Sequence, residues 1–315
     1  MFKTIEQFEV GEEIQGYYLV KQSAIKNTAA GKKYMDATLM DASGEINAKI
    51  WDGEPVLLTI FKEGEIIKVS AKVNSWQGQK QLSVHKYRPI NPSDDLDVEK
   101  FVPSAPIKAE ILYDNIFAAI DAMKNEDIKR LVKALIVERK EKFMFYPAAK
   151  SNHHAVRAGL MYHIYRMLEL GKAMAGVYPE VNLDLLKAGI ILHDLCKIDE
   201  MATNALGLVS EYTKEGNFLG HITIGIQLIG EKGKSLHIDE EVVLLIQHML
   251  LSHHYFPEYG SPKKPMFLEA ELLHHIDMID ARIYDIGKAV RDTPKGEFSE
   301  PVWSMEKRRL YNHGL

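Results

Sequence analysis

The hydrophobic pattern of this chain changes period once, and the change divides it into two parts. Over residues 13–90 short apolar-rich runs are separated by turn residues, a pattern of β-strands. Residues 14–25 form one long run, followed by the polar turn 27–32. Residues 34–40 and 45–51 alternate and are joined by Asp41-Ala42-Ser43-Gly44. Residues 55–61 read as a short helix, and 66–76 and 81–90 as two further strands about Gln77-Gly78-Gln79. Residues 91–109 carry three prolines and an acidic cluster and are expected to be a linker. From residue 110 onward apolar residues recur three and four apart, over 111–125, 128–146, 155–175, 183–195, 221–230, 242–251 and 267–290. No β-pattern of comparable strength follows, so residues 110–315 are expected to form an all-α domain.

Three strands, a short helix and two strands within about ninety residues resemble the OB-fold, a five-stranded barrel with a helix between its third and fourth strands. Such barrels bind single strands with aromatic platforms and basic loops. The candidates are Tyr34, Trp51, Trp76 and Tyr87, with Lys26, Lys32, Lys33, Lys80 and Arg88 nearby in sequence; Lys33, Tyr34 and Trp51 are foremost. At least half of those aromatics are expected in the barrel core.

With 315 residues, 46% of them hydrophobic, the chain has material for two cores. No apolar run approaches the roughly 20 residues that span a bilayer. The opening MFKTIEQFEV has charges where a secretory signal needs an apolar stretch, so no membrane partner is expected. A single cysteine, Cys196, allows no intrachain disulfide and suits a cytoplasmic location. The net charge of −5 argues against a broad electrostatic grip on nucleic acid but leaves room for a local one. Residues 1–90 hold 12 Lys and Arg against 11 Asp and Glu, so the acidity lies in the helical part, where bound cations can offset it.

Eleven of the thirteen histidines lie between His153 and His275, in a region whose helical core has little use for imidazoles. The sharpest element is Ile190-Ile191-Leu192-His193-Asp194-Leu195-Cys196-Lys197, an apolar helix running into a His-Asp pair. Imidazole and carboxylate together suit Mn, Fe, Co, Ni or Zn, and a carboxylate can bridge two ions. His163 sits on a helix thirty residues earlier, and His221 begins one twenty-eight residues later. His253 and His254 end another, and Asp277 lies inside a last one. Ligands drawn from separate helices are how bundles build inward-facing metal sites.

This order, with the phrases GLMYH, ILHDLCK, LGHITIG, SHHYFPEYGSPKKP and LEAELLHHIDMIDA, resembles the HD superfamily of metal-dependent phosphohydrolases in its two-metal form. An OB-fold followed by such a domain is similar to the YhaM-type 3′-to-5′ exoribonucleases. The resemblance implies His163, His193, Asp194 and Asp277 as core ligands. His221, His253 and His254 would complete a second site, with Asp194 bridging. Asp280, three residues on, competes for the place of Asp277. His153 and His154 are candidates for contact with substrate phosphate or, equally, a capping pair. His248, His274 and His275 are expected in supporting roles. Cys196 departs from the pattern, which has glycine there.

The implied chemistry is in-line attack on phosphorus by water activated between two cations, most readily Mn²⁺ with Co²⁺ or Fe²⁺ acceptable. Lys197 would stabilise phosphoryl charge beside Asp194. The family implies single-stranded RNA, with single-stranded DNA a second candidate, as substrate and nucleoside 5′-monophosphates as product. A homo-oligomer would be compatible with a shared substrate funnel. A nucleotide or cyclic-dinucleotide phosphohydrolase, and a non-catalytic nucleic-acid-binding protein, are the competing readings.

Overall fold

Strand β1 (Glu13–Asn27) is long enough to serve two neighbours. Its first half pairs antiparallel with β4 (Ile66–Trp76), and its second half with β2 (Lys33–Asp41). A register shift between Val20 and Gln22 separates the halves, the bend a barrel needs at a corner. β2 pairs with β3 (Gly44–Ile50), β5 (Gln79–Pro89) with β4, and a short parallel contact of Asn47–Lys49 with Gln81–Ser83 closes the barrel in the order β1-β2-β3-β5-β4. This description rests on a computed structural model, which describes residues 3–51, 54–94, 96–97, 100–150, 154–204 and 206–315.

Strand alternation sets what fills the barrel. Met35, Ala37 and Leu39 of β2 and Ile46, Ala48 and Ile50 of β3 point inward with Tyr18, Val69 and Leu82. The single-turn helix α1 (Leu57–Ile60) brings Leu57 and the following Phe61 into the same core. Asp41 is buried at the β2–β3 turn, where its carboxylate accepts hydrogen bonds from Ser43 and from the Ile5 backbone. Phe61→Ala should cost about 3–5 kcal/mol through lost burial and a residual cavity, read as a lower urea midpoint of the full-length chain. An unchanged midpoint would mean that α1 does not close the barrel.

Among the described residues, only Tyr87 of the four aromatic candidates packs against the barrel core, fewer than expected. Trp51 is 54% and Trp76 66% exposed, and Tyr34 and Tyr87 are half-buried. Asp94 and Lys100, within the expected linker 91–109, are tied to the barrel. Asp94 accepts hydrogen bonds from the Tyr17 hydroxyl and the Arg88 guanidinium, and the Lys100 carbonyl accepts one from Ala42. The division between the two compact units accordingly falls between Ser104 and Ala105.

The second unit is built on α2 (Ala109–Asp121), α3 (Glu126–Phe143), α4 (Gly159–Val177) and α5 (Leu183–Leu192). A short α6 (Lys197–Glu200), then α7 (Lys214–Leu236), α8 (Glu240–Ser252) and α9 (Leu268–Arg291) complete it. Helix α5 is apolar on nearly every side, as a helix surrounded by others must be, and it packs against α3, α4, α8 and α9. One element was not expected: a hairpin of β6 (Met201–Thr203) and β7 (Val209–Tyr212) joins α6 to α7. Its strands are too short for alternation to register. Among the described residues no helix is long and apolar enough to cross a membrane.

Candidate active site

Helix α5 stops at Leu192, so His193 caps its end and the chain turns through Asp194 into α6. This turn carries both residues into a junction with α4, α7, α8 and α9. His193 Nε2 lies 3.3 Å from Asp194 Oδ2, and His221 Nε2 of α7 lies 3.3 Å from Asp194 Oδ1. His253 Nε2, at the end of α8, is 3.9 Å from the same Oδ1. On the other side His163 Nε2 of α4 meets Asp277 Oδ1 of α9 at 3.2 Å. Three groups of possible ligand atoms result among the described residues, Asp194 with His221, His253 and His254, Asp277 with His163 and His193, and Asp280 with His154 and His163; the first two meet at the His193-Asp194 turn.

Each imidazole is oriented by its other nitrogen. Nδ1–H of His193 donates to the Ile190 carbonyl at 2.9 Å, that of His253 to Leu250 at 2.7 Å, and that of His254 to Tyr259. Nδ1–H of His221 donates to Glu200 Oε1 at 3.1 Å, and the same oxygen accepts the His221 backbone N–H at 3.0 Å. That second bond requires a break in α7: Gly220 has φ 68°, outside the helical region, so the chain re-enters the helix at His221. His163 Nδ1–H donates to Asp280 Oδ2 at 2.8 Å. All five rings therefore present Nε2 to the junction, the tautomer that a metal requires when the far nitrogen is tied down.

Nε2 of His193, His221 and His253 and Oδ1 of Asp194 are buried without a hydrogen bond. Buried polar atoms left unpaired are costly, and four converging at one point suit divalent cations with nitrogen and oxygen ligands. The donor set thus fits a two-metal group. Burial opposes the charge of His163, but Asp277 and Asp280 prevail and raise its imidazole to about 9, so a cation there must displace a proton. The Asp194 group is different. Burial, then the neighbouring His254, holds His253 well below the usual imidazole range, and burial with His221 lowers His254, so both are neutral as ligands must be. Burial opposes the charge of Asp194, but Lys197 and His193 prevail and hold its carboxyl far below the ordinary range. Lys197 Nζ donates to Asp194 Oδ2 at 2.7 Å from a half-buried place in the wall.

The cavity around this cluster measures about 590 Å³ and is lined by Lys150, Tyr212, Tyr259 and Met278 as well as the ligands. Asp277 lies in its wall, whereas Asp280 stands behind His163, also accepts Nε2–H of His154 at 2.8 Å and forms an ion pair with Arg166, Nε to Oδ1 2.6 Å. Of the two aspartates competing for one role, Asp277 faces the cluster and Asp280 holds a ligand in place. His154 corrects an expectation: it is 0% exposed and bonded to Asp280, so it supports His163 and does not reach substrate. His153 lies outside the described residues. His274 donates Nδ1–H to the His253 carbonyl at 2.7 Å, His248 accepts the Met266 amide at 3.1 Å, and His275 faces Glu271 outside. Lys33, Tyr34 and Trp51 belong to the barrel unit.

Cys196 is buried beside Gly225 of α7. Burial, then Asp199, pushes its thiol up to about 12. At pH 8 it should hold about 10³-fold less thiolate than an ordinary cysteine. Iodoacetamide should therefore label the protein only in urea; rapid labelling of the native chain would contradict the packing around α6.

Residues 160–282 match the family model described as HD domain, and residues 22–90 the one described as OB-fold nucleic acid binding domain. Among curated proteins, a 3′-5′ exoribonuclease YhaM from Bacillus velezensis and one from Bacillus subtilis are each 40% identical over 312 residues, 99% of this chain and 98% of the relative. One from Oceanobacillus iheyensis is 42% identical over 303 residues, 96% of this chain and 94% of the relative. A barrel of OB topology, a convergent His and Asp cluster and identity along nearly the whole length agree: the chain belongs to the YhaM family of 3′-5′ exoribonucleases.

Proposed function

We propose that this protein is a metal-dependent 3′-5′ exoribonuclease that shortens single-stranded RNA, releasing nucleoside 5′-monophosphates. The observation that carries the reading is the set of four buried, unpaired ligand atoms meeting at one carboxylate. His163, His193, Asp194 and Asp277 would hold one cation, and Asp194, His221, His253 and His254 a second, with Asp194 shared. Mn²⁺ suits this nitrogen-rich set with carboxylates, and Co²⁺ or Fe²⁺ is acceptable to it. Such cations, when bound, acidify water near neutral pH and neutralise charge on phosphoryl oxygens.

The chain's own groups do the rest. Neutral His253 and His254 offer lone pairs without competing for protons near pH 7. Glu200 and Asp280 keep His221 and His163 from rotating. Lys197, fixed by Asp194 in the cavity wall, places a cation where a scissile phosphate enters. On the barrel, the Tyr34 and Trp51 rings are 5.5 Å apart with Lys49 5.1 Å from the Tyr34 centroid, and Lys33 is exposed nearby in sequence. This is an aromatic and basic surface of the kind that tracks single strands.

The test is to strip the protein with chelator and restore Mn²⁺, using 5′-labelled RNA with an unstructured 3′ end and single-stranded DNA in parallel. The expected result is a metal-dependent descending ladder on RNA, with 5′-monophosphates as product. RNA left intact while metal binds would overturn the exonuclease reading, and a nucleotide panel would then test a small-molecule phosphohydrolase.

A further inference from the structure

Part of the cavity wall takes no part in holding cations. Of its charged residues, Lys197 is tied to Asp194 and Glu200 to His221, and Asp277 faces His163. Lys150 is exposed and makes no ion pair among the described residues; its ammonium lies 5.7 Å from the centroid of the Tyr212 ring. Tyr212 is 42% exposed, and Tyr259, in the same wall, 69%. Among the described residues neither hydroxyl is hydrogen-bonded, and both side chains line the cavity.

Both tyrosines are fastened to the segments that carry ligands. The Tyr259 carbonyl accepts Nδ1–H of His254, and the Ser261 hydroxyl two residues on accepts the His254 backbone N–H. Tyr212 pairs with Met201, directly after α6. The next residue, Thr213, caps α7 and donates its hydroxyl to the Asp199 and Glu200 carbonyls. The backbone that carries each ring is thus held in place relative to the cluster.

We propose that Tyr212 and Tyr259 stack on the nucleobases at the 3′ end of the substrate while Lys150 meets the adjoining backbone phosphate. This rests on the exonuclease reading above and adds to it a grip inside the catalytic cavity, separate from the barrel. A cavity of about 590 Å³ is in the range that encloses a small ligand, which suits one or two terminal nucleotides rather than a length of strand. Every base has a π-face, so such a clamp holds any sequence. It contributes on the order of five- to 150-fold in affinity per stacked base. Lys150 supplies a charge that no carboxylate among the described residues claims and, over the ring of Tyr212, steadies that platform.

The experiment compares two RNAs in the Mn²⁺-loaded full chain, one ordinary and one whose last two residues lack their bases. In the wild type, base removal should raise KM at least five-fold. In Tyr212→Leu and Tyr259→Leu that ratio should shrink toward one, and in Tyr212→Phe and Tyr259→Phe it should persist. Lys150→Met should raise KM for both RNAs alike and lower the log–log salt dependence of KM by about 0.7, with Lys150→Arg restoring both. A base-removal ratio that stays at the wild-type value in the leucine variants, whatever their absolute rates, overturns the clamp alone. So does its loss in the phenylalanine variants. A wild type that binds Mn²⁺ and degrades neither RNA overturns the exonuclease reading, and the clamp with it.

Discussion

Asp194→Asn should lower RNA hydrolysis by about 10³-fold or more, because this one carboxylate faces both ligand groups. Oδ2 stands beside His193 and Lys197, and Oδ1 beside His221 and His253. Asparagine keeps the shape but removes the charge and offers one oxygen where two are used. It also leaves the Lys197 ammonium without its partner, and breaking a buried pair from one side costs about 3–5 kcal/mol. Loss of activity could then reflect loss of fold. The double variant Asp194→Asn/Lys197→Met separates the two effects: it removes both charges, so it should regain much of the stability and none of the activity. The checks are urea unfolding and RNA hydrolysis on the same preparations. An Asp194→Asn protein that degrades RNA within ten-fold of wild type would remove Asp194 from the centre of the site.

What could be read in the sequence follows from how far apart the interacting residues are. The barrel was legible because each strand of seven to fifteen residues repeats its inward and outward pattern and is ended by its own turn. That these histidines and aspartates converge was legible because such residues on an apolar helix have few other uses. Helix ends were read less well. Helix α7 begins at Lys214, seven residues before the apolar pattern suggests, because its first turns are polar and Gly220 breaks the run. The β6–β7 hairpin has strands of three and four residues, too few for a period.

The residues that hold the ligands were not legible at all. Glu200 reaches His221 across 21 positions and Asp280 reaches His163 across 117, and no local spacing rule covers contacts made by tertiary packing. His154 was misplaced for the same reason. Its left-handed backbone and the Tyr284 ring, 4.1 Å away, carry it inward, and nothing in the His153-His154 dipeptide announces that turn.

Asp280→Asn should weaken one cation by about 10- to 100-fold while sparing the other, and so show that the two ligand groups are held separately. Asp280 Oδ2 accepts from both His154 and His163, and Oδ1 forms an ion pair with Arg166. Despite burial, those donors keep the carboxyl well below its usual range, so it is a charged acceptor at neutral pH. An asparagine amide can supply only one acceptor oxygen. If its NH₂ turns to His163, Nδ1 must become the acceptor and the proton moves to Nε2, which then has no lone pair for a metal. If its oxygen stays with His163, His154 and Arg166 lose a partner and the ring is held less firmly. Either way the group of His163, His193 and Asp277 suffers, while Asp194, His221, His253 and His254 keep their own supports through Glu200, Leu250 and Tyr259. Competition with a chelator should show two comparable Mn²⁺ affinities in the wild type and one weakened affinity in the variant. Equal weakening of both would mean that Asp280 supports the fold of α4 and α9 as a whole rather than the orientation of one imidazole.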